Sequence, residues 1–218
     1  MAKKTLEPQQ ARSRESMQKL MKAAAEVLGQ HGVEGATIPR IAKHAGLTPG
    51  AVYRRFPDKD ALMETVILGI LERQDQRLRA SITLEHARQI PLPVFADQII
   101  NGIVVSNRMN GPLLRALHQF AQARPHTPFW KKAVRLELST YAYLLELFLT
   151  HRKEIRHPDP RAAVSLGLMM VISTVFRLVV EPTDPALWKD LLPKDDLVFK
   201  RELVNSFLAY LGVAQKRA

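Results

Sequence analysis

Apolar residues recur along this chain at three- and four-residue spacing and nowhere in sustained alternation, so the pattern predicts helices and no strands. From Ser13 the positions Met17, Leu20, Met21, Ala24, Val27 and Leu28 form one stripe, which predicts an amphipathic helix ending at Gly29 to Gly32. Met1 to Gln10, with Lys3, Lys4 and Pro8, has no such stripe and reads as a flexible basic arm. Ile38, Ile41, Ala42 and Ala45 predict a second, short helix. Thr37 stands ahead of it as a side chain able to accept from a free amide of the first turn, and Gly46 follows as a left-handed stop. Leu47-Thr48-Pro49-Gly50 opens a third helix, Thr48 to Phe56. Thr48 is its cap, Pro49 takes the first helical position, where an amide is not needed, and Val52 and Phe56 face the core. Pro57 ends it, and Asp58 caps a fourth helix through Leu62, Val66, Leu68 and Leu71 towards Ala80.

The remainder reads as helices between breaks at Pro91/Pro93, Gly111-Pro112, Pro125/Pro128, Pro158/Pro160, Pro182/Pro185 and Pro193, the last running from Asp196 to Leu211. No internal repeat or long linker intervenes, so two parts that share a helix and an interface are expected. The most apolar stretch, Leu166 to Val180, is shorter than the ~20 residues that cross a bilayer and contains Arg177, so it reads as a buried helix and no membrane partner is expected.

Charge sharpens this outline. The net charge is +11, and residues 1–60 carry 11 Lys and Arg against 6 Asp and Glu, over twice the excess per residue of the rest of the chain. Between Thr37 and Lys59 stand Arg40, Lys43, Arg54, Arg55 and Lys59 against Asp58 alone, a bias suited to a polyanionic partner. There is no cysteine, which excludes disulfide scaffolds, thiolate zinc sites and cysteine nucleophiles. The N-terminus has no apolar run behind its lysines, so a cytoplasmic location is expected. The histidines (His31, His44, His86, His118, His126, His151, His157) form no His-Glu-x-x-His pair, and no phosphate-binding glycine loop or Gly-x-Ser-x-Gly elbow occurs. No enzyme activity, metal or cofactor is expected.

Two short helices joined by a glycine turn, the second capped and carrying Tyr-Arg-Arg, have the geometry that lays a helix into a major groove. Pro49, Gly50 and Ala51 are small enough for entry. Tyr53, Arg54, Arg55 and Lys59 bring donors to the rim, and the helix dipole adds attraction for phosphate. The run Thr37-Ile-Pro-Arg-Ile-Ala-Lys-His-Ala-Gly-Leu-Thr-Pro-Gly-Ala-Val-Tyr-Arg-Arg-Phe-Pro-Asp-Lys-Asp-Ala-Leu62 resembles the signature of the tetracycline-repressor (TetR/AcrR) family over about a quarter of the chain. That pattern usually has His just before the Phe, where this chain has Arg55. The resemblance implies an all-α fold: a three-helix helix-turn-helix domain over 1–60, then a larger helical domain over 61–218 for effector binding and dimerisation. It implies that Thr37, Tyr53 and Lys59 hold the DNA backbone while Thr48, Pro49, Gly50 and Arg54 lie in or beside the groove. Arg55 is assigned to phosphate. Arg12 and Arg14 could add backbone or minor-groove contacts, while Lys43 and His44 read as solvated.

The family binds palindromic operators as dimers, commonly represses, and releases DNA when a small molecule occupies the second domain. The expected partners are therefore an operator duplex, a second copy of this chain and an unidentified small-molecule effector. By analogy a cavity is expected among the middle helices, where Phe95, Asn107, Met109, His118, Phe120, Trp130, Tyr141, Phe176 and Arg177 are the ligand candidates, each also readable as simple packing. Arg177 needs a partner, either Glu181 one turn on or an anionic ligand. The last two long helices are implied to pair with those of a second subunit, with Leu166, Met170, Val175, Phe199, Leu203 and Phe207 at the interface, although the same positions also suit an intramolecular core. The rival function is a helical small-molecule-binding or interaction protein that keeps the fold without specific operator binding.

Overall fold

The computed structural model describes residues 6–180, 193 and 195–213, with side chains described from Ser13 onwards, and all regular structure among these residues is helical. In chain order the helices are α1 (Leu6–Gly35), α2 (Ile38–His44), α3 (Pro49–Tyr53), α4 (Lys59–Ser81), α5 (Leu84–Gln89), α6 (Leu92–Gln122), α7 (Pro128–Leu149), α8 (Pro160–Val175) and α9 (Asp196–Tyr210), with α8 extended by a π-helical turn, Phe176–Val180.

Local chemistry sets most of the helix starts. Thr37 and Thr48 accept from the amides of Arg40 and Ala51 at 3.4 and 3.2 Å. Asp58 accepts from Ala61 at 2.8 Å, Thr83 from His86 at 3.1 Å and Asp159 from Ala162 at 3.0 Å. Each bond satisfies an amide that the helix itself leaves open. Gly32 and Gly46 sit at φ 65° and 66°, the left-handed region open to glycine, and there the chain turns out of α1 and α2.

Three expectations need correcting. Helix α1 begins at Leu6, so Leu6–Gln10 belong to it; Met1–Thr5 lie outside the described residues. Leu, Glu, Gln and Ala favour helix without any apolar stripe, and Pro8 falls in the first turn, whose amides are unpaired in any case. The break at Gly111-Pro112 does not occur, because α6 runs through it. An internal proline costs about 3 kcal/mol. Buried Phe95, Ile100 and Val104 before it and Ala116, Leu117 and Phe120 after it outweigh that, each large side chain contributing about 1.5–3 kcal/mol. The apolar helix is also longer than its Leu166–Val180 run. It spans the 21 residues Pro160–Val180, apolar and long enough by composition to cross a membrane, and it is core on one face only. Ala163, Val164, Gly167, Leu168, Val171 and Val175 are buried, whereas Leu166, Met169 and Met170 are exposed. Of the remaining predicted breaks, Pro182 and Pro185 lie outside the described residues.

The chain packs as two units, Met1–Arg73 with Pro112–Val134, and Gln74–Gly111 with Arg135–Ala218. The boundary expected at residue 60 lies within the first turn of α4, whereas the divisions between units fall further on, inside α4, α6 and α7. In the first unit Leu20, Leu28, Ile41, Val52, Leu62, Met63, Phe120 and Phe129 form one core. In the second, Phe95, Ile100, Phe148, Leu168, Val175 and Phe207 belong to another.

The second unit also holds a polar clasp. Asp75 on α4 accepts from Arg79 Nε at 2.7 Å and from Thr140 Oγ1 on α7 at 3.0 Å. The hydrogen bond from Arg79 holds the Asp75 carboxyl below its ordinary value, with burial opposing and Thr140 assisting. A carboxyl depressed in the folded state stabilises above its unfolded pKa, and that stability is lost as pH falls through the folded value. Asp75→Asn should therefore be less stable than the wild type at neutral pH, and the two should converge below about pH 4, as read from thermal melts across pH.

Candidate nucleic-acid interface

The first unit builds a short two-helix element on the end of α1. Beyond Gly32, buried Ala36, Ile38, Ile41 and Ala42 seat α2 in the core, and Arg40 Nη1 donates to the Gly35 carbonyl at 2.7 Å. After His44 the chain reverses through Gly46, where the Leu47 amide donates to the Ala42 carbonyl at 2.8 Å. Thr48 then opens α3. Regular helix covers only Pro49–Tyr53, shorter than the predicted Thr48–Phe56, but the turn continues, with the Phe56 amide donating to the Val52 carbonyl at 3.0 Å.

Val52 is fully buried and Phe56 nearly so, as expected, and they anchor the element. Thr48, Pro49, Gly50 and Arg54 are exposed, and Tyr53 is 53% exposed despite its aromatic ring. Thr37, at the start of α2, is exposed as well, and Lys59 is half-buried in the first turn of α4. Seven of the eight predicted DNA contacts thus lie at helix starts or on the outer side of α3, which frees their donors for an external acceptor.

Arg55 differs. It is half-buried, its Nη2 donates to Ser16 Oγ of α1 at 2.6 Å, and its Nη1 is sealed from solvent without a hydrogen-bond partner. Of the flanking residues, Arg14 is exposed on α1, and the side chain of Arg12 lies outside the described residues. Lys43 is exposed, and His44 Nε2 pairs with Glu26 Oε2 of α1 at 2.7 Å. Sequence reasoning missed Ser16 and Glu26, because neither lies near its cation in the chain.

The ligand candidates fall in different units. His118, Phe120 and Trp130 belong to the first; Phe95, Asn107, Met109, Tyr141, Phe176 and Arg177 belong to the second. In the first, an open cleft of about 470 Å³ between the end of α1 and the end of α6 touches Phe120 alone among them, and Arg124 stacks its guanidinium on that ring at 3.7 Å. In the second, Phe95 is core, edge-on to Phe148 at 5.0 Å, and Asn107 Nδ2 donates to the Ile103 carbonyl at 2.8 Å. Met109 is 78% exposed and Arg177 is exposed; Glu181, its suggested partner, lies outside the described residues. Phe176 is half-buried. The Tyr141 hydroxyl is buried without a partner, and desolvation pushes its phenol up to about 12. Asn101, which sequence reasoning missed, buries its Oδ1 in the same unit, also unpartnered. The interface candidates divide too: Val175, Phe199 and Phe207 are buried within the unit, Leu203 is half-buried, and Leu166 and Met170 are exposed.

Comparison with known proteins agrees with this geometry. Residues 20–66, from the middle of α1 into α4, match the family of bacterial regulatory proteins, tetR family. The HTH-type transcriptional regulator UidR of Escherichia coli is 30% identical over 86 residues, 39% of this chain and 40% of UidR, so the match spans well under half of that relative. A solved structure from Mesorhizobium loti assigned to the TetR family superposes with a TM-score of 0.64 at 20% identity, covering 91% of this chain and 97% of that one. The transcriptional regulator FadR of Bacillus subtilis, solved in complex with stearoyl-CoA, gives 0.59 at 18% identity over 89% and 97%. The matched segment, residues 20–66, coincides with the capped, outward-facing helix pair and resembles the tetR family of bacterial regulatory proteins, and over nine-tenths of its length the chain shares the fold of a solved structure assigned to that family.

Proposed function

We propose that the chain is a transcriptional repressor that binds a palindromic operator as a homodimer in the cytoplasm and releases it when a small molecule binds. The observation that carries this reading is the outer side of α3: Thr48, Pro49, Gly50, Tyr53 and Arg54 are exposed together, on a helix fixed from behind by Val52 and Phe56. Thr48, Pro49, Gly50 and Arg54 enter the groove and read bases; Thr37, Tyr53 and Lys59 hold phosphates, and Arg14 adds to them. Two such heads on a dimer meet successive groove faces ~34–36 Å apart or at a multiple of that distance. The effector reading is supported by the stearoyl-CoA bound to FadR and by the unpaired buried Tyr141 hydroxyl and Asn101 Oδ1. A mostly apolar molecule with an uncharged hydrogen-bonding group suits the chemistry of either atom.

The test is a gel shift on the DNA upstream of the protein's own gene, against random duplex, over a salt series. Preference for the upstream fragment is the expected result. Equal binding to both would favour the rival, a ligand-binding or interaction protein that keeps the fold. Within the reading, Arg54→Ala should relax base preference at one position by about 1–3 kcal/mol, whereas Lys59→Ala should weaken all sequences alike and lower the salt slope by about 1. The reverse pattern would exchange the two roles.

A further inference from the structure

Arg55 lies between exposed Arg54 and buried Phe56, and its guanidinium turns towards α1 instead of outward. Nη2 donates to Ser16 Oγ at 2.6 Å across 39 residues of chain, and the Ser16 hydroxyl in turn donates to the Ser13 carbonyl at 3.1 Å. Each donor in this relay has one acceptor. Ser16 gives its only proton to Ser13, which leaves its lone pairs for Arg55, and bonds chained in this way strengthen one another. The other terminal nitrogen, Nη1, is sealed from solvent. With one Nη2 proton given to Ser16 and Nη1 covered, this guanidinium cannot present its two terminal nitrogens together to a phosphate without leaving its seat and breaking the Ser16 bond.

We infer that Arg55 is a positioning residue that fixes the Ser13–Ser16 segment of α1, and Arg14 within it, against the DNA-reading helix through Ser16, and is not itself a phosphate ligand. The inference deepens the DNA-binding reading above and rests on it for its functional consequence. A hydrogen bond from a charged donor is strong enough that its loss should be visible in affinity. Positional freedom gained by α1 would be paid back as ordering when DNA binds.

Two measurements on the full chain test it. Hydrogen exchange of the free protein should show faster exchange over Ser13–Leu20 in Ser16→Ala, Arg55→Ala and Arg55→Lys, and wild-type rates in Ser16→Thr, which keeps the hydroxyl. Unchanged exchange in the first three overturns the relay whatever happens with DNA. On an upstream fragment that the wild type prefers, Ser16→Ala and Arg55→Ala should each bind roughly tenfold more weakly. The double variant should be no weaker than the single ones, and Arg55→Lys should fail as Arg55→Ala does. Thermal melts run alongside ensure that affinities refer to folded protein. Wild-type affinity in Ser16→Ala and Arg55→Lys, with a salt slope lowered by about 1 in Arg55→Ala, would make Arg55 a phosphate ligand and overturn the inference. Additive losses would overturn it too. A wild type with no preference for the fragment would instead defeat the operator reading, leaving the exchange result to decide the relay.

Discussion

Gly167→Val should lower the stability of the protein by about 3 kcal/mol, the upper end of the cost of overpacking a filled core, or roughly 6–12 °C in melting temperature. A Cβ at Gly167 on α8 would stand 2.8 and 2.9 Å from Cε2 and Cδ2 of Phe207 on α9, and 3.6 Å from Tyr210 Cδ1. The Phe207 ring has nowhere to retreat. It is 2% exposed and sits edge-on to Phe148 at 5.0 Å, which meets Phe95 in the same way at 5.0 Å. Displacing it disturbs an aromatic row that joins α9 to α7 and α6. Gly167→Ala is the informative control, because alanine gains about 1 kcal/mol of helix propensity over glycine and offsets part of the clash. Phe207→Ala should cost about 3–5 kcal/mol by itself. Placed under Gly167→Val it should remove most of the added penalty, since the branched side chain then occupies the vacated space. Chemical denaturation of the four variants measures the coupling, and additive costs would show that α8 and α9 do not meet through this pair.

What the sequence could reveal follows the range of each interaction. Thr37, Thr48 and Asp58 act three residues away, and Gly46 acts on its own dihedral angle, so the boundaries of α2, α3 and α4 were readable to within a few residues. The outward or inward sense of Tyr53, Arg54, Val52 and Phe56 followed from helical spacing for the same reason. Arg55 did not yield to that logic. A position at the margin between core and surface takes its direction from what stands opposite, and here that is Ser16, 39 residues earlier.

Proline rules misread α6 because they price the lost amide of Pro112 without the burial on either side of it. That error had a second consequence. Once α6 is a single helix lying in both units, residues taken from the middle helices as one lining set, such as Phe95 and Phe120, become members of two separate cores. In α8 the difficulty was different. Where every face is apolar, periodicity cannot choose which side meets the protein's own core, so Val175 and Met170 looked alike in sequence although one is buried and the other 44% exposed.

That difference in α8 sets up the largest expected effect on function. On the dimeric operator-binding reading proposed above, the double variant L166E/M170E should be monomeric and bind operator about 100-fold or more weakly, while its helical content and melting behaviour stay close to those of the wild type. Leu166 and Met170 are 48% and 44% exposed, beside Met169 at 54%, and Ala162 and Ser173 on the same side are small and exposed, leaving room for another helix to approach. Because these side chains are already half in water, replacing them takes little from the protomer's own core. In a dimer they would be buried, each contributing about 1 kcal/mol from its remaining apolar surface, and a carboxylate there would be withdrawn from water at a cost. Substitutions at Val175, Phe199 or Phe207 cannot make the same distinction, since those buried side chains support the fold before they could support an interface. Sedimentation would report the oligomeric state and a gel shift the affinity. The expected affinity loss is large because, in the proposed dimer, two linked heads would bind a two-part operator with the second contact made at high local concentration, and a monomer would forfeit that gain. A variant that remains a dimer would move the interface off this face of α8; one that becomes a monomer yet binds the full operator as before would show that a single head suffices.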